Sequence, residues 1–162
     1  MAASVTAVLG TLLGAGLTHR FPLRSVERTE RFTRDERLRQ ERMDACSAYA
    51  GALVNYRRIL VHRWFREHED GTPEECHQIR MDGYELRSVA QEALFRVQMP
   101  AADDALVERG RQAPARIDQL HKAENRPELD RRRDDTRTQV REFVSAAKGR
   151  SRCPGKGTLE AS

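Results

Sequence analysis

The chain has 162 residues and a mass of 18.5 kDa, the size of one domain with extensions, which argues against two catalytic modules. Charged residues make up 33% and apolar ones 38%, against roughly 25% and 45–50% in an average globular protein, so the core is modest. Basic residues outnumber acidic ones 29 to 25, giving +4, and only Lys122, Lys148 and Lys156 among the basic residues are lysines.

Residues 2–18 carry no charged side chain, whereas nearly every later stretch of ten carries several. As a helix these 17 residues rise about 25 Å at roughly 1.5 Å each, slightly short of a hydrocarbon core near 30 Å. Arg20 and Arg24 extend the span by reaching toward phosphates, Phe21 suits the interface, and Arg28 continues the cationic flank. Residues 1–22 are therefore expected to form a transmembrane anchor. Eight arginines and five acids lie between His19 and Met43, so the positive-inside rule keeps the C-terminal part in the cytoplasm and the amino terminus outside. No cationic region precedes the apolar run, which disfavours a cleaved signal. Cys46, Cys76 and Cys153 are odd in number and widely spaced, as suits a reducing compartment. Gly10 and Gly14 form a G-x-x-x-G ridge, a candidate helix-dimer face, although small residues are common in any span.

Pro22 suits the first turn of a new helix running from Leu23 to about Phe65. Residues 23–42 read as a charged helical stalk, with Glu27–Arg31, Glu30–Arg34 and Asp35–Arg39 at i,i+4. From Ala45 the pattern changes: Ala45, Tyr49, Ala52, Tyr56 and Ile59, flanked by Cys46, Leu53 and Leu60, form a packed seam. Trp64 and Phe65 close it as core residues rather than as a partner surface. Thr72, Pro73 and Glu75 spell an N-cap, a proline at N1 and a capping box. The helix they open turns Ile79, Leu86, Ala90, Ala93, Leu94 and Val97 to one side and stops at Pro100; Leu94–Met99 is kept helical for want of a partner strand.

Asp103 and Asp104 cap a third cytoplasmic helix with Leu106, Gly110, Ala113, Ile117 and Leu120 on its face, and Pro114 predicts a kink or break near Gly110. Asn125, Pro127 and Glu128 open the last helix, with Leu129, Thr136, Val140, Phe143, Val144 and Ala147 facing inward. Residues 149–162 read as a disordered basic tail. The fold class is all-α: an N-terminal transmembrane helix and a long stalk helix continuing into an antiparallel helical bundle over residues 43–148.

Chemistry is sparse. His62, His68, Cys76 and His77 gather near the first cytoplasmic turn, but their spacings of six, eight and one differ from those of zinc sites. Gly155-Lys156-Gly157 fails as a phosphate loop, since Gly157 stands where Ser or Thr is required. No catalytic residues, cofactor or metal are assigned. Arg57-Arg58 and Arg131-Arg132-Arg133 suggest nucleic acid, yet residues 124–147 balance six arginines with six acids. Residues 19–42 and the tail are the net cationic segments, and anionic lipid headgroups are their expected partner.

The order of an uncharged glycine-rich span, Arg/Glu-laced residues 24–42 and the Ala45–Trp64 seam resembles small single-span, Arg-rich proteins of actinobacteria and of their plasmids and phages. The likeness covers most of the chain by pattern, without a signature motif. Some such proteins sit in mobile-element transfer or spread regions, so the resemblance implies location more than activity and transfers no functional residue. The expected function is a membrane-anchored, non-enzymatic interaction or scaffold module with an unknown protein partner or a second copy of itself; the alternative is a soluble Arg-rich nucleic-acid binder.

Overall fold

A computed structural model describes the backbone of residues 3–69, 71–99 and 104–151, with side chains described from residue 29 to residue 149 within those ranges. Four α-helices and one short 3-10 helix follow one another: α1 (Ala3–His68), α2 (Pro73–Gln98), α3 (Asp104–Ile117), η1 (Leu120–Lys122) and α4 (Arg126–Ser151). No strand occurs among the described residues, so the all-α expectation holds. The chain divides into two compact units, Met1–Arg39 and Gln40–Ser162.

In the first unit Pro22 lies inside α1 rather than at the start of a new helix. A proline in a helix removes one backbone bond, a loss that the flanking turns can carry. No helix is long and apolar enough to cross a membrane among the described residues. Gly10, Gly14, Arg20, Phe21, Arg24 and Arg28, on which the anchor, its interface and the dimer ridge were placed, lie outside the residues whose side chains are described. Arg39 pairs with Glu36 at 3.3 Å, three residues back, and not with Asp35. Both partners are more than half exposed, so the exchange of an i−4 for an i−3 partner costs only tenths of a kcal/mol.

The second unit is a bundle built on the expected seam, turned slightly. Cys46, Tyr49, Leu53, Tyr56, Leu60 and Trp64 are buried at steps of 3, 4, 3, 4 and 4, while Ala45 and Ile59 fall to its margin. The capping box at α2 forms as predicted: the Thr72 hydroxyl accepts from the Glu75 amide at 3.2 Å and the Glu75 carboxylate accepts from the Thr72 amide at 3.1 Å. Gly71 lets the chain pass against the Arg66 carbonyl, where any Cβ would collide. Asn125 caps α4, its side-chain oxygen accepting from the Glu128 amide at 3.0 Å. That helix runs to Ser151, past the expected end at Lys148, and residues 152–162 of the proposed tail lie outside the described residues.

Register follows from cross-helix pairs. Tyr49 meets Gly110, and Tyr56 meets Asp118, so α1 and α3 run parallel. Tyr49 meets Phe143 and Arg57 meets Thr136, so α4 runs antiparallel to α1. Leu60 lies against Gly83, whereas Leu94 and Tyr49 both lie against Gly110, so α2 is antiparallel as well. The result is an up-down-up-down bundle. With 14 residues α3 spans about 21 Å, against about 39 Å for the 26 residues of α2 and of α4. The remaining length beside α1 is filled by η1, whose Leu120 is fully buried, and by Trp64, whose indole donates to the Ala123 carbonyl at 2.6 Å. The indole is therefore a core residue, as its spacing predicted.

Of the kink or break expected near Gly110, the break does not occur. Pro114 sits within a continuous α3, and the helix ends three residues later at Ile117. Proline at 114 deprives the Gly110 carbonyl of its intrahelical donor. The Tyr49 hydroxyl takes that place, donating to the Gly110 carbonyl at 2.6 Å in the buried interior.

Candidate functional site

Polar side chains inside the bundle act as ties between helices. Tyr56 donates through its hydroxyl to the Asp118 carboxylate, and Arg87 of α2 reaches the other Asp118 oxygen at 3.2 Å. Burial first, and then this bond to an anion, push the Tyr56 pKa well above its ordinary value of 10, so the hydroxyl stays protonated. Arg57 donates to the Thr136 hydroxyl at 3.1 Å and to the Arg133 carbonyl at 3.0 Å, while Thr136 itself donates back within α4 to the Arg132 or Arg133 carbonyl. Half of the Arg57-Arg58 dipeptide that suggested nucleic-acid binding is thus committed to holding α1 on α4.

Most arginines of α4 pair with carboxylates of their own helix. Arg126 and Arg133 reach Asp130 at 3.2 and 2.9 Å, Arg131 reaches Glu128 at 4.0 Å, and Arg137 reaches Asp134 at 3.6 Å. Arg132 bonds both Glu128 and the Gln119 carbonyl. Glu128 also accepts from the Glu124 amide at 2.8 Å, and that bond, followed by Arg132, holds its pKa below 4.5. Arg126 lies over the Phe65 ring with 4.6 Å to its centre.

The histidine and cysteine corner is used for packing. The His68 ring stacks on Trp64 with 4.3 Å between ring centres, and its Nδ1 lies 2.9 Å from the Trp64 carbonyl oxygen. His62 lies 3.4 Å from Arg66, Cys76 donates to the Arg66 carbonyl at 3.6 Å, and His77 is exposed. Among the described residues no group of three or more His, Cys, Asp and Glu is placed to hold a metal.

Two surface features remain. One is a groove of about 610 Å³ between α3 and α4, lined by Arg109, Arg116, Gln139, Arg141 and Glu142. The Gln139 Oε1 is enclosed there without a hydrogen-bond partner. Three guanidiniums against one carboxylate attract an anionic group, but the groove is shared with solvent and no polar set converges within it.

The other is the outer side of α2. This helix buries Ile79, Gly83, Ala90, Ala93, Leu94 and Val97, and half a turn away it exposes Met81, Tyr84, Phe95 and Met99 by 50%, 59%, 52% and 79%. The four share one row with Ser88 at its middle, since offsets of 3, 4, 7 and 4 residues return to the same side of a 3.6-residue helix. Two exposed apolar pairs, Met81 with Tyr84 and Phe95 with Met99, separated by Ser88 and Glu92, lie opposite a complete core face and have no use within the bundle, and exposed apolar surface of this kind marks a contact site. The periodicity of the sequence pointed only to the inner face. Counting apolar residues from Met81 at helical offsets would have found the second row, and this outer face of α2 is the candidate site.

A family model described as KilB plasmid transfer protein matches residues 43–151. No curated protein and no solved structure matches the chain. The matched stretch takes in all of α2, α3 and α4 together with the buried seam of α1, which is more than half of the sequence. On that match the chain belongs to the KilB plasmid transfer protein family.

Proposed function

We propose that the chain serves plasmid transfer as a non-enzymatic helical interaction protein, held at the inner face of the cell membrane by residues 1–22, and that its bundle engages a protein partner in the cytoplasm. The observation that carries the interaction role is the two-sided α2, with a closed core face and an exposed row of Met81, Tyr84, Phe95 and Met99. The membrane half rests on the uncharged residues 2–18 and on the excess of arginines over acids between residues 19 and 43. Arg20, Arg24 and Arg28, with the basic residues after 147, then lie against anionic headgroups.

A nucleic-acid partner is the weaker reading, because the α4 arginines that would supply counterion release are already paired with carboxylates. Flotation of the full chain on vesicles, with and without residues 1–20, tests the anchor. The full chain floats and the truncated chain stays at the bottom; a full chain that remains in the buffer fraction without detergent overturns the membrane reading.

A further inference from the structure

We propose that the partner on the outer face of α2 is a second copy of the same chain, with the two α2 helices antiparallel and crossing at Ser88. The inference rests on reading the bundle as an interaction body and not on its attachment to a membrane: an antiparallel α2 pair also sets the two copies' 40–68 segments of α1 in opposite directions, so the pairing does not itself bring both N-terminal segments to one membrane surface.

The spacing of the row along this face is symmetric about Ser88, and its mirrored positions hold complementary residues. The row reads His77, Met81, Tyr84, Ser88, Glu92, Phe95, Met99, with steps of 4, 3, 4, 4, 3 and 4, the same forwards and backwards. In a two-fold antiparallel pair centred on Ser88, each residue faces its mirror in the row. Met81 then meets Phe95 of the other copy, a thioether against an aromatic ring. His77 meets Met99, and the Tyr84 hydroxyl meets the Glu92 carboxylate as a donor to an anion. Each contact occurs twice, as an isologous interface requires.

Local features suit that arrangement. Ser88 is small and exposed, so two helix backbones can approach closely where they cross. Asp82 and Arg96 lie on one flank about two turns either side of the centre, and in an antiparallel pair that flank faces itself, bringing each Asp82 toward the other copy's Arg96. The like-charged approach of Glu85 to Glu92 is offset by Arg96, which already holds Glu92 at 2.7 Å. The exposed parts of Met81, Tyr84, Phe95 and Met99 supply roughly 500 Å² of apolar surface per copy, taking about 200 Å² for each whole side chain. A standard interface takes about 800 Å² from each partner, and Ser88 and Glu92 of the row with the flanking Glu85, Gln91 and Arg96 make up the difference.

The test uses the full chain in mild detergent, in a background of Cys46→Ala, Cys76→Ser and Cys153→Ser. Under oxidation Ser88→Cys gives a disulfide-linked dimer at least tenfold faster than the exposed control Arg131→Cys. His77→Cys chains cross-link with Met99→Cys chains, whereas neither cross-links with itself. In light scattering, Tyr84→Glu and Phe95→Glu weaken dimerisation at least tenfold while helical circular dichroism is unchanged. Equal cross-linking of Ser88→Cys and Arg131→Cys overturns the proposal, as does efficient self-linking of His77→Cys, which reports a parallel pair. Association that survives Phe95→Glu but disappears with Gly10→Leu and Gly14→Leu places the contact in the N-terminal residues and overturns it too. Flotation of the same variants is read separately, so loss of membrane binding with cross-linking intact removes the anchor and leaves this interface standing.

Discussion

The Tyr49 hydroxyl occupies the position of an amide hydrogen that Pro114 does not have: it donates to the Gly110 carbonyl at 2.6 Å, four residues before the proline. A bond from α1 thus completes the backbone of α3. Removing it by Tyr49→Phe leaves a buried carbonyl unsatisfied and is expected to cost about 1–3 kcal/mol. In a Pro114→Ala background the new alanine amide supplies the donor again, so the same substitution costs at least about 1 kcal/mol less. Urea unfolding of the four chains of this double-mutant cycle measures the difference. Equal costs in both backgrounds would show that the two residues are not coupled.

Gly110 and Gly51 predict opposite responses to alanine. A Cβ at 110 would lie 3.0 Å from Leu94 Cδ1, 3.3 Å from the Tyr49 ring and 3.4 Å from the Phe143 ring, at the level where all four helices converge. Gly110→Ala is expected to destabilise by about 1–3 kcal/mol even after the gain in helix propensity. At Gly51 nothing lies within 4 Å of the added carbon, so Gly51→Ala should stabilise by about 0.5–1 kcal/mol. Thermal midpoints that move in the same direction for both would refute the packing account.

Trp64 is the sole tryptophan and is buried beneath η1. Native emission is expected to be blue-shifted and to move to longer wavelength on unfolding. Trp64→Phe keeps an aromatic ring but removes the bond to the Ala123 carbonyl, which should cost about 1–3 kcal/mol. An emission maximum that urea leaves unchanged would place the indole in water already.

Two sets of groups predict how stability depends on pH. His121 is pulled below its ordinary 6.5 first by burial and then by the Arg63 guanidinium, so the folded chain favours the neutral ring. The unfolded chain takes up the proton first as pH falls below 6.5, and stability declines from there toward the lower folded value. At the alkaline end burial raises Tyr49 and Tyr56 above 10. Their contribution is fully present below pH 10 and is lost as pH rises from there toward the folded values, because the unfolded phenols ionise first. Denaturation midpoints across about pH 5–11 check both signs. His121→Gln should flatten the acid limb, and Tyr49→Phe with Tyr56→Phe the alkaline one.

Much of this architecture could be read from the sequence, because its signals are local. Thr72 and Glu75 cap α2 through bonds spanning three residues, Asn125 and Glu128 do the same for α4, and the seam from Cys46 to Trp64 needs only the helical period. What escaped depends on contacts distant in sequence. The fate of Pro114 was decided by a hydroxyl 65 positions earlier, and η1 is packed by Leu120 and Trp64 from different elements. The outer row of α2 is a different kind of omission: its residues were visible, but one good core face already accounted for the helix. The link to a mobile element, first suggested by overall patterning, is carried by the family match over residues 43–151.

The clamp of Arg57 on α4 grips one main-chain oxygen and one hydroxyl, and none of the carboxylates on that helix. One acceptor of that attachment is main chain and so survives any side chain at 133, while the charges of Arg137, Arg133 and Asp134 still act on the guanidinium. Thr136, together with Arg126 over the Phe65 ring and Arg132 on the Gln119 carbonyl, is therefore what the frame of the bundle demands of α4, and a change at any of the three removes a tie that no other side chain of that helix duplicates.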